Sequence, residues 1–410
     1  MDIEYRVPEA TEWADFIAPV GIAFGGELTT PADLDAEQLV WEPERSIGAL
    51  DGDRWVGGTG AFTFDLTLPG GTTISSPGVT MVGVLPTHRR RGILTELMSR
   101  QLDDLVEQGE AVAMLTASES AIYGRYGYGI ATTAARIHLG VDRARFAVPV
   151  EVPGSFELLP TTKAAGPLKA AYDRCLLRRA GIITRSERYW QRMMLDLESW
   201  RGGAGPYQVV VHRDAGHELD GYLLYRIKDE WTSVLPQNKV LIRDLGGVDD
   251  DVEAAMWQFA LSIDLVAEVV GRMRPLDEPI RWRLTEPRRM TTSDVADHLW
   301  VRVLDVPVAL AARRYRVEDG LVIEVIDRFR LSGGGRFRLD GGPDGATCTP
   351  TDASADLTLG SSDLATLYLG GVAPSALAAA GRVDEHTAGA LARADLLFPT
   401  TLQPFCSTHF

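Results

Sequence analysis

The chain has 410 residues, 45% hydrophobic and 24% charged, with a formal net charge of −16. That length points to two or three domains with ample core. The acidic balance excludes nonspecific binding to nucleic acid or to an anionic membrane surface. Cys175, Cys348 and Cys406 are too widely spaced for a disulfide framework or a metal pattern. With no basic region or apolar signal core at the N-terminus, a cytoplasmic setting is expected. The longest uncharged stretch, residues 364–381, contains Gly370-Gly371 and Pro374. It reads as two short helices around a turn, not as a membrane span.

In chain order, residues 8–24 begin with a polar helical segment. Residues 45–50 and 55–68 read as strands on either side of the turn Asp51-Gly52-Asp53. The turn Leu68-Pro69-Gly70-Gly71 leads to a strand over 79–85. The most informative stretch is Val82-Gly83-Val84-Leu85-Pro86-Thr87-His88-Arg89-Arg90-Arg91-Gly92-Ile93-Leu94. It runs from a β-branched strand through a turn and three arginines into a helix, in which Leu94, Leu97, Met98, Leu102 and Leu105 recur at helical spacing. A basic loop that opens a helix suits phosphate, because the first helical N–H groups lack partners and the dipole there favours an anion. Gly92 lets the backbone approach a ligand closely. The stretch is neither a P-loop nor a dinucleotide fingerprint.

A buried strand over 112–116 precedes Ala117-Ser118-Glu119-Ser120-Ala121-Ile122-Tyr123-Gly124-Arg125-Tyr126-Gly127-Tyr128-Gly129. A phenol with an ordinary pKa of about 10 stays protonated at neutral pH and suits protonation of a leaving group. Equally, Tyr123 and Tyr128 fit simple packing of a Gly-rich turn. Met81 stands where it would shape the mouth of a site or pack. Asp33, Asp35, Glu37, Glu42 and Glu44 form an acidic group that fits a solvated face or attraction of a polyamine.

Residues 1–150 thus form a first α/β (α+β) unit. Residues 151–295 form a second that echoes it: the strand Gly221-Tyr222-Leu223-Leu224-Tyr225-Arg226, then a strand over 240–248, then a helical pattern through Val252, Met256, Phe259, Ala260 and Ile263. Between strand and helix stands Asp249-Asp250-Asp251, which would repel a pyrophosphate. In residues 296–410 the apolar Val306-Pro307-Val308-Ala309-Leu310 and 321–326 are followed by further strands near 337–339 and 356–359, then helices over 361–369 and 373–380. That order describes a small α+β domain.

The arginine loop resembles the pyrophosphate loop of GNAT acetyltransferases, Arg/Gln-x-x-Gly-x-Gly/Ala, with Arg89, Gly92 and Leu94 at the marked positions; Leu94 departs from the usual small residue. Tyr123, Gly127 and Tyr128 match the family's Tyr-x-x-x-Gly-Phe/Tyr. Over nearly its whole length the chain resembles the enhanced intracellular survival (Eis) family of bacterial acetyltransferases, most specifically at residues 85–92, at 122–129, at Val306-Pro307-Val308-Ala309-Leu310 and at Cys348-Thr349-Pro350-Thr351-Asp352-Ala353. The resemblance implies tandem GNAT-like domains, the first active and the second degenerate, followed by a sterol-carrier-protein-like C-terminal domain. It also implies a homo-hexamer and acetyl-CoA-dependent acetylation of primary amines on cationic substrates such as aminoglycosides.

The same resemblance assigns roles. Arg89, Arg90, Arg91, Gly92, Ile93, Leu94 and Thr95 would hold acetyl-CoA, with Ser118 and Glu119 lining it. Main-chain groups of Val82, Gly83 and Val84 would polarise the thioester, with Gly83 allowing a bulge. Tyr123 would protonate the coenzyme A sulfur, and the Phe410 carboxylate would act as base. Transfer would be direct in a ternary complex, with no metal and no acetyl-cysteine. The alternatives are a dedicated peptide, lysine or small-metabolite acetyltransferase, or a non-catalytic lipid- or acyl-CoA-binding protein.

Overall fold

A computed structural model describes residues 3–26 and 30–410, which divide into two units. The first comprises residues up to Thr132, Asp297–Pro404 and Thr408–Phe410; the second comprises Thr133–Ala296 and Phe405–Ser407.

The first unit holds a seven-stranded sheet in the order Ile3–Arg6, Ile47–Asp51, Arg54–Phe62, Gly78–Val84, Val112–Thr116, Leu299–Val303 and Gly129–Ile130. Alternation of apolar residues buries one face against the helix Trp13–Ala23, through Trp13, Phe16, Ile17 and Val20. The other face packs on the helix Ile93–Glu107, whose Leu97, Met98, Leu102 and Leu105 are buried as their spacing predicts. The segment expected as one strand over 55–68 breaks after Phe62, and Asp65–Thr67 forms a separate hairpin with Thr73–Ser75. A helix, Pro31–Gln38, carries part of the acidic group; its first turn is capped by the Thr30 side chain, which accepts from the Asp33 amide.

The second unit repeats this order: Ser155–Leu159, Gln208–Arg213, Leu219–Lys228, Asn238–Gly247, Val266–Arg274, Thr133–Gly140 and Met290–Asp297. The echo seen in sequence is therefore an echo of topology. In each sheet the sixth strand comes from outside the run of chain that supplies the others. Leu299–Val303 completes the first sheet, pairing with Val112–Thr116 on one side and Gly129–Ile130 on the other. Thr133–Gly140 joins the second, against Val266–Arg274. The chain passes between units after Thr132, Ala296, Pro404 and Ser407.

The C-terminal part of the first unit is a five-stranded sheet, ordered Gly345–Pro350, Gly335–Gly342, Asp319–Ile326, Leu357–Gly360 and Val383–Glu385. The apolar run at 306–310 lies in a helix, Val306–Ala312, because the Asp305 carboxylate caps the Val308 amide and Pro307 sits in the first turn. Helices Ser361–Tyr368 and Pro374–Ala379 stand where the sequence places them. Among the described residues no helix is long and apolar enough to cross a membrane.

A buried ion pair, Arg302 with Asp327, ties the donated strand to this sheet. The Arg302 guanidinium lies against Gly127, whose φ is +83° and where an added Cβ would meet Arg302 Nη1 at 2.5 Å. Gly127→Ala therefore combines left-handed strain with displacement of a buried charge. It should lower unfolding stability by at least about 2 kcal/mol, measured by the shift of a denaturant transition.

Candidate active site

The site begins where two parallel strands part. Gly78–Val84 and Val112–Thr116 pair only at Gly78 with Met114 and Val79 with Leu115. On its other edge Gly78–Val84 carries one extra residue: Gly58 faces Gly83 while Gly60 faces Thr80. That is a β-bulge, which bends its strand. The strained residue is Met81, at φ +55°, not Gly83 as the sequence suggested. Gly83 serves packing instead, since a Cβ there would come within 3.1 Å of the Val20 Cα. Past Val79, residues Val82, Gly83 and Val84 have no strand partner on the Val112–Thr116 side among the described residues. The partly buried Met81 packs against the cluster that contains Trp13, Phe16, Trp41 and Trp55.

The basic loop follows directly. Pro86–His88 forms a turn, Arg90 takes φ +63°, and Gly92 at φ +82° is the N-cap of Ile93–Glu107. Among the described residues no side chain caps this helix. The Glu96 amide bonds the Gly92 carbonyl at 3.0 Å, which leaves the Ile93, Leu94 and Thr95 amides at the helix mouth. Among the described residues nothing lies within 4 Å of where a Cβ on Gly92 would stand. Arg89, Arg90 and Arg91 are all exposed. Asp51, from the hairpin turn, holds His88 at 3.1 Å and Arg91 at 3.3 Å; His88 first and Arg91 second keep its carboxyl below the usual range. Arg89 and Arg90 have no ion-pair partner among the described residues. Ile93 buries its side chain in the core and can offer a ligand only its main chain. Leu94 packs toward the cluster containing Tyr123, which explains how a bulky residue stands where the loop pattern has a small one.

Beyond Thr116 the chain exposes Ser118 and Glu119 and enters the short helix Ser120–Tyr123. Tyr123 is 5% exposed and lies in one cluster with Val79, Leu115 and the partly buried Val82 and Leu94. Its ring meets Tyr128 edge to face at 6.1 Å. Burial pushes its phenol up to about 12, partly offset by a hydrogen bond with Ser118. The phenol is thus a proton donor throughout the neutral range.

The last residue of the sequence reaches the same place. Thr116 Oγ1 donates to the Phe410 main-chain oxygen at 3.1 Å. The Phe410 ring packs 5.1 Å from Phe64, and a Cβ on Gly78 would meet it at 2.6 Å. His298 Nε2 donates to the Thr408 carbonyl at 2.9 Å. The structure therefore brings the strand divergence, Tyr123 and Phe410 to one end of one sheet. Gly78, Phe64, Thr116 and His298 escaped the sequence reading: a glycine, a phenylalanine, a strand-end threonine and a histidine over a hundred residues from its partner carry no local signal.

The second unit keeps the frame without the loop. The helix Asp250–Leu261 is capped by the Asp249 carboxylate, which accepts from the Asp251 and Val252 amides. An internal anion thus occupies the place where a phosphate would bind.

Residues 4–131 match an acetyltransferase (GNAT) domain family, residues 181–303 a second acetyltransferase (GNAT) domain family, and residues 306–407 the sterol carrier protein domain family. An uncharacterized N-acetyltransferase of Streptomyces avermitilis is 41% identical over the full length of both chains. The N-acetyltransferase Eis of Mycobacterium tuberculosis is 34% identical over 95% of this chain and 92% of its own. The crystal structure of Eis1 from Mycobacterium abscessus superposes with a TM-score of 0.88 at 33% identity, covering all of both chains. The GNAT fold implies acetyl-CoA as co-substrate, and the chain belongs to the Eis family of GNAT N-acetyltransferases.

Proposed function

We propose that this enzyme acetylates primary amines of polycationic small molecules, aminoglycosides among them, by direct transfer from acetyl-CoA. The observation that carries the mechanism is the convergence of Phe410 and Tyr123 at the parting of Gly78–Val84 from Val112–Thr116. Family membership, the net charge of −16 and the carboxylates between Asp33 and Glu44 support a cationic substrate.

In this reading the uncapped amides of Ile93, Leu94 and Thr95, with Arg89, Arg90 and Arg91 around Gly92, take the pyrophosphate. Ser118 and Glu119 border the thioester end. The free main-chain edge of Val82, Gly83 and Val84 faces the acyl group and stabilises the developing oxyanion. The substrate amine attacks the thioester carbonyl, and its proton passes to the Phe410 carboxylate, directly or through water. The C–S bond then breaks and Tyr123 protonates the departing sulfur. Cys175 and Cys348 have no part in this: both are buried, which pushes each thiol up to about 12.

Three outcomes follow. Tyr123→Phe should lower kcat by about 10²-fold or more with little change in the KM for acetyl-CoA, read from release of coenzyme A thiol. Because burial raises this phenol, its deprotonation would remove the acid only as pH rises toward about 12; a wild-type kcat limb near pH 8 that vanishes in Tyr123→Phe would keep the phenol as the acid but contradict its upward shift. Gly78→Ala places a methyl where the Phe410 ring lies. It should cut kcat about as severely as removing Phe410, which steady-state kinetics on both variants would decide.

The substrate class is tested by thiol release with an aminoglycoside, a lysine peptide and a simple polyamine. Turnover with the aminoglycoside supports a broad polycation acetyltransferase. Turnover with the peptide or polyamine alone would replace it with a dedicated enzyme.

A further inference from the structure

Tyr123 and Phe410 stand on opposite faces of the first sheet. Successive strand residues point to alternate faces. Val79 and Leu115, the last pair before the strands part, both belong to the cluster that contains Tyr123. Their neighbours Gly78 and Thr116 therefore face the other way. On that side Thr116 Oγ1 donates to the Phe410 main-chain oxygen at 3.1 Å, and a Cβ on Gly78 would meet the Phe410 ring at 2.6 Å. The parting of the strands is thus flanked by a phenol on one face and by the end of the tail on the other.

The seat of that tail is built on the sheet itself. Thr116 ends its strand opposite Leu299. The residue before Leu299 is His298, whose amide bonds the Thr132 carbonyl at 3.0 Å and whose Nε2 donates to the Thr408 carbonyl at 2.9 Å. Two donors on adjoining strands therefore hold positions 408 and 410, and the Phe64 ring packs 5.1 Å from that of Phe410. Thr116 is β-branched, which restricts the rotation of its hydroxyl-bearing bond. A carboxylate oxygen only accepts, so the threonine hydroxyl supplies the proton of their bond.

We infer that Thr116 is a positioning residue for the Phe410 carboxylate: it holds one oxygen and leaves the other to take the proton of the substrate amine. This rests on the reading that Phe410 is the base. An α-carboxyl ordinarily titrates near 3.5 and is a weak base, so its contribution depends on being aimed. The same hydrogen bond favours the ionised form. Losing it should misdirect the base, which lowers kcat, and should ease protonation of the carboxylate, which moves the acid limb of kcat to higher pH. Coenzyme binding is untouched.

The test compares Thr116→Val, Thr116→Ser and a chain lacking Phe410, by release of coenzyme A thiol with the amine that turns over fastest, across the acid range. Thr116→Val keeps the shape and removes the hydroxyl. It should lower kcat about tenfold, leave the KM for acetyl-CoA unchanged and raise the acid limb by about one pH unit. Thr116→Ser, which keeps the hydroxyl, should restore both. His298 and His409, whose rings stack 6.2 Å apart beside the seat, are present in both threonine variants, so they do not account for a shift between them. Should Thr116→Val fail to fold, Thr116→Ala carries the same expectation. Wild-type kcat and acid limb without the hydroxyl, in a protein that Phe410 removal inactivates, would overturn the role of Thr116 and leave the carboxylate reading standing. Reduced kcat with an unmoved limb would overturn it too, because a structural role alone produces that result. Full activity without Phe410 would overturn the carboxylate reading and the role of Thr116 with it.

Discussion

The proposed chemistry depends on a ladder that stops early. Two residue pairs join Gly78–Val84 to Val112–Thr116, and the bulge at Met81 prevents more. A longer ladder would close the sheet and pair the main-chain edge of residues 82–84. Because it stops, one strand presents a free main-chain edge and the other ends at Thr116, which takes the Phe410 oxygen. The cost is met on the other edge, where Arg54–Phe62 keeps its pairing around the bulge, and in the aromatic packing of Trp13, Phe16, Trp41 and Trp55 against Met81.

The two units show how little sequence separates a helix mouth without a side-chain cap from one closed by a carboxylate. In the first, Gly92 supplies the left-handed N-cap and no side chain, so three amides stay open beside cationic side chains. In the second, Asp249 supplies its own carboxylate to two of the equivalent amides. Its neighbours are committed as well: Asp250 to Arg178, and Asp251 to Arg283. The frame survived in both because it is made by burial of apolar strand faces, which is indifferent to the composition of one turn.

That division explains what could be read in advance. The helix Ile93–Glu107 was legible because its apolar residues recur at helical spacing, and the open loop because glycine and arginine have few other uses together at a helix start. The repeated topology was legible from matching strand and helix patterns. Met81 was not, because nothing in a methionine announces a positive φ. Nor was Thr116, whose role exists only once Phe410 arrives from 294 positions away. The membership of Leu299–Val303 in the first sheet was hidden for the same reason. Its largely apolar run fits any buried strand, and the choice of neighbour is made by tertiary packing. The segment at 306–310 was ambiguous locally and is settled by one aspartate cap.

The sixth strand of the first sheet has a consequence for how the protein comes into being. During synthesis residues 1–132 leave the ribosome first, yet their sheet stays open beside Val112–Thr116 until Leu299–Val303 has been made. The second sheet needs nothing later than Asp297. The sheet encoded second can therefore be completed first, while the earlier one waits with an unpaired edge, the state in which nascent chains associate wrongly. Contacts of such long sequence separation form slowly.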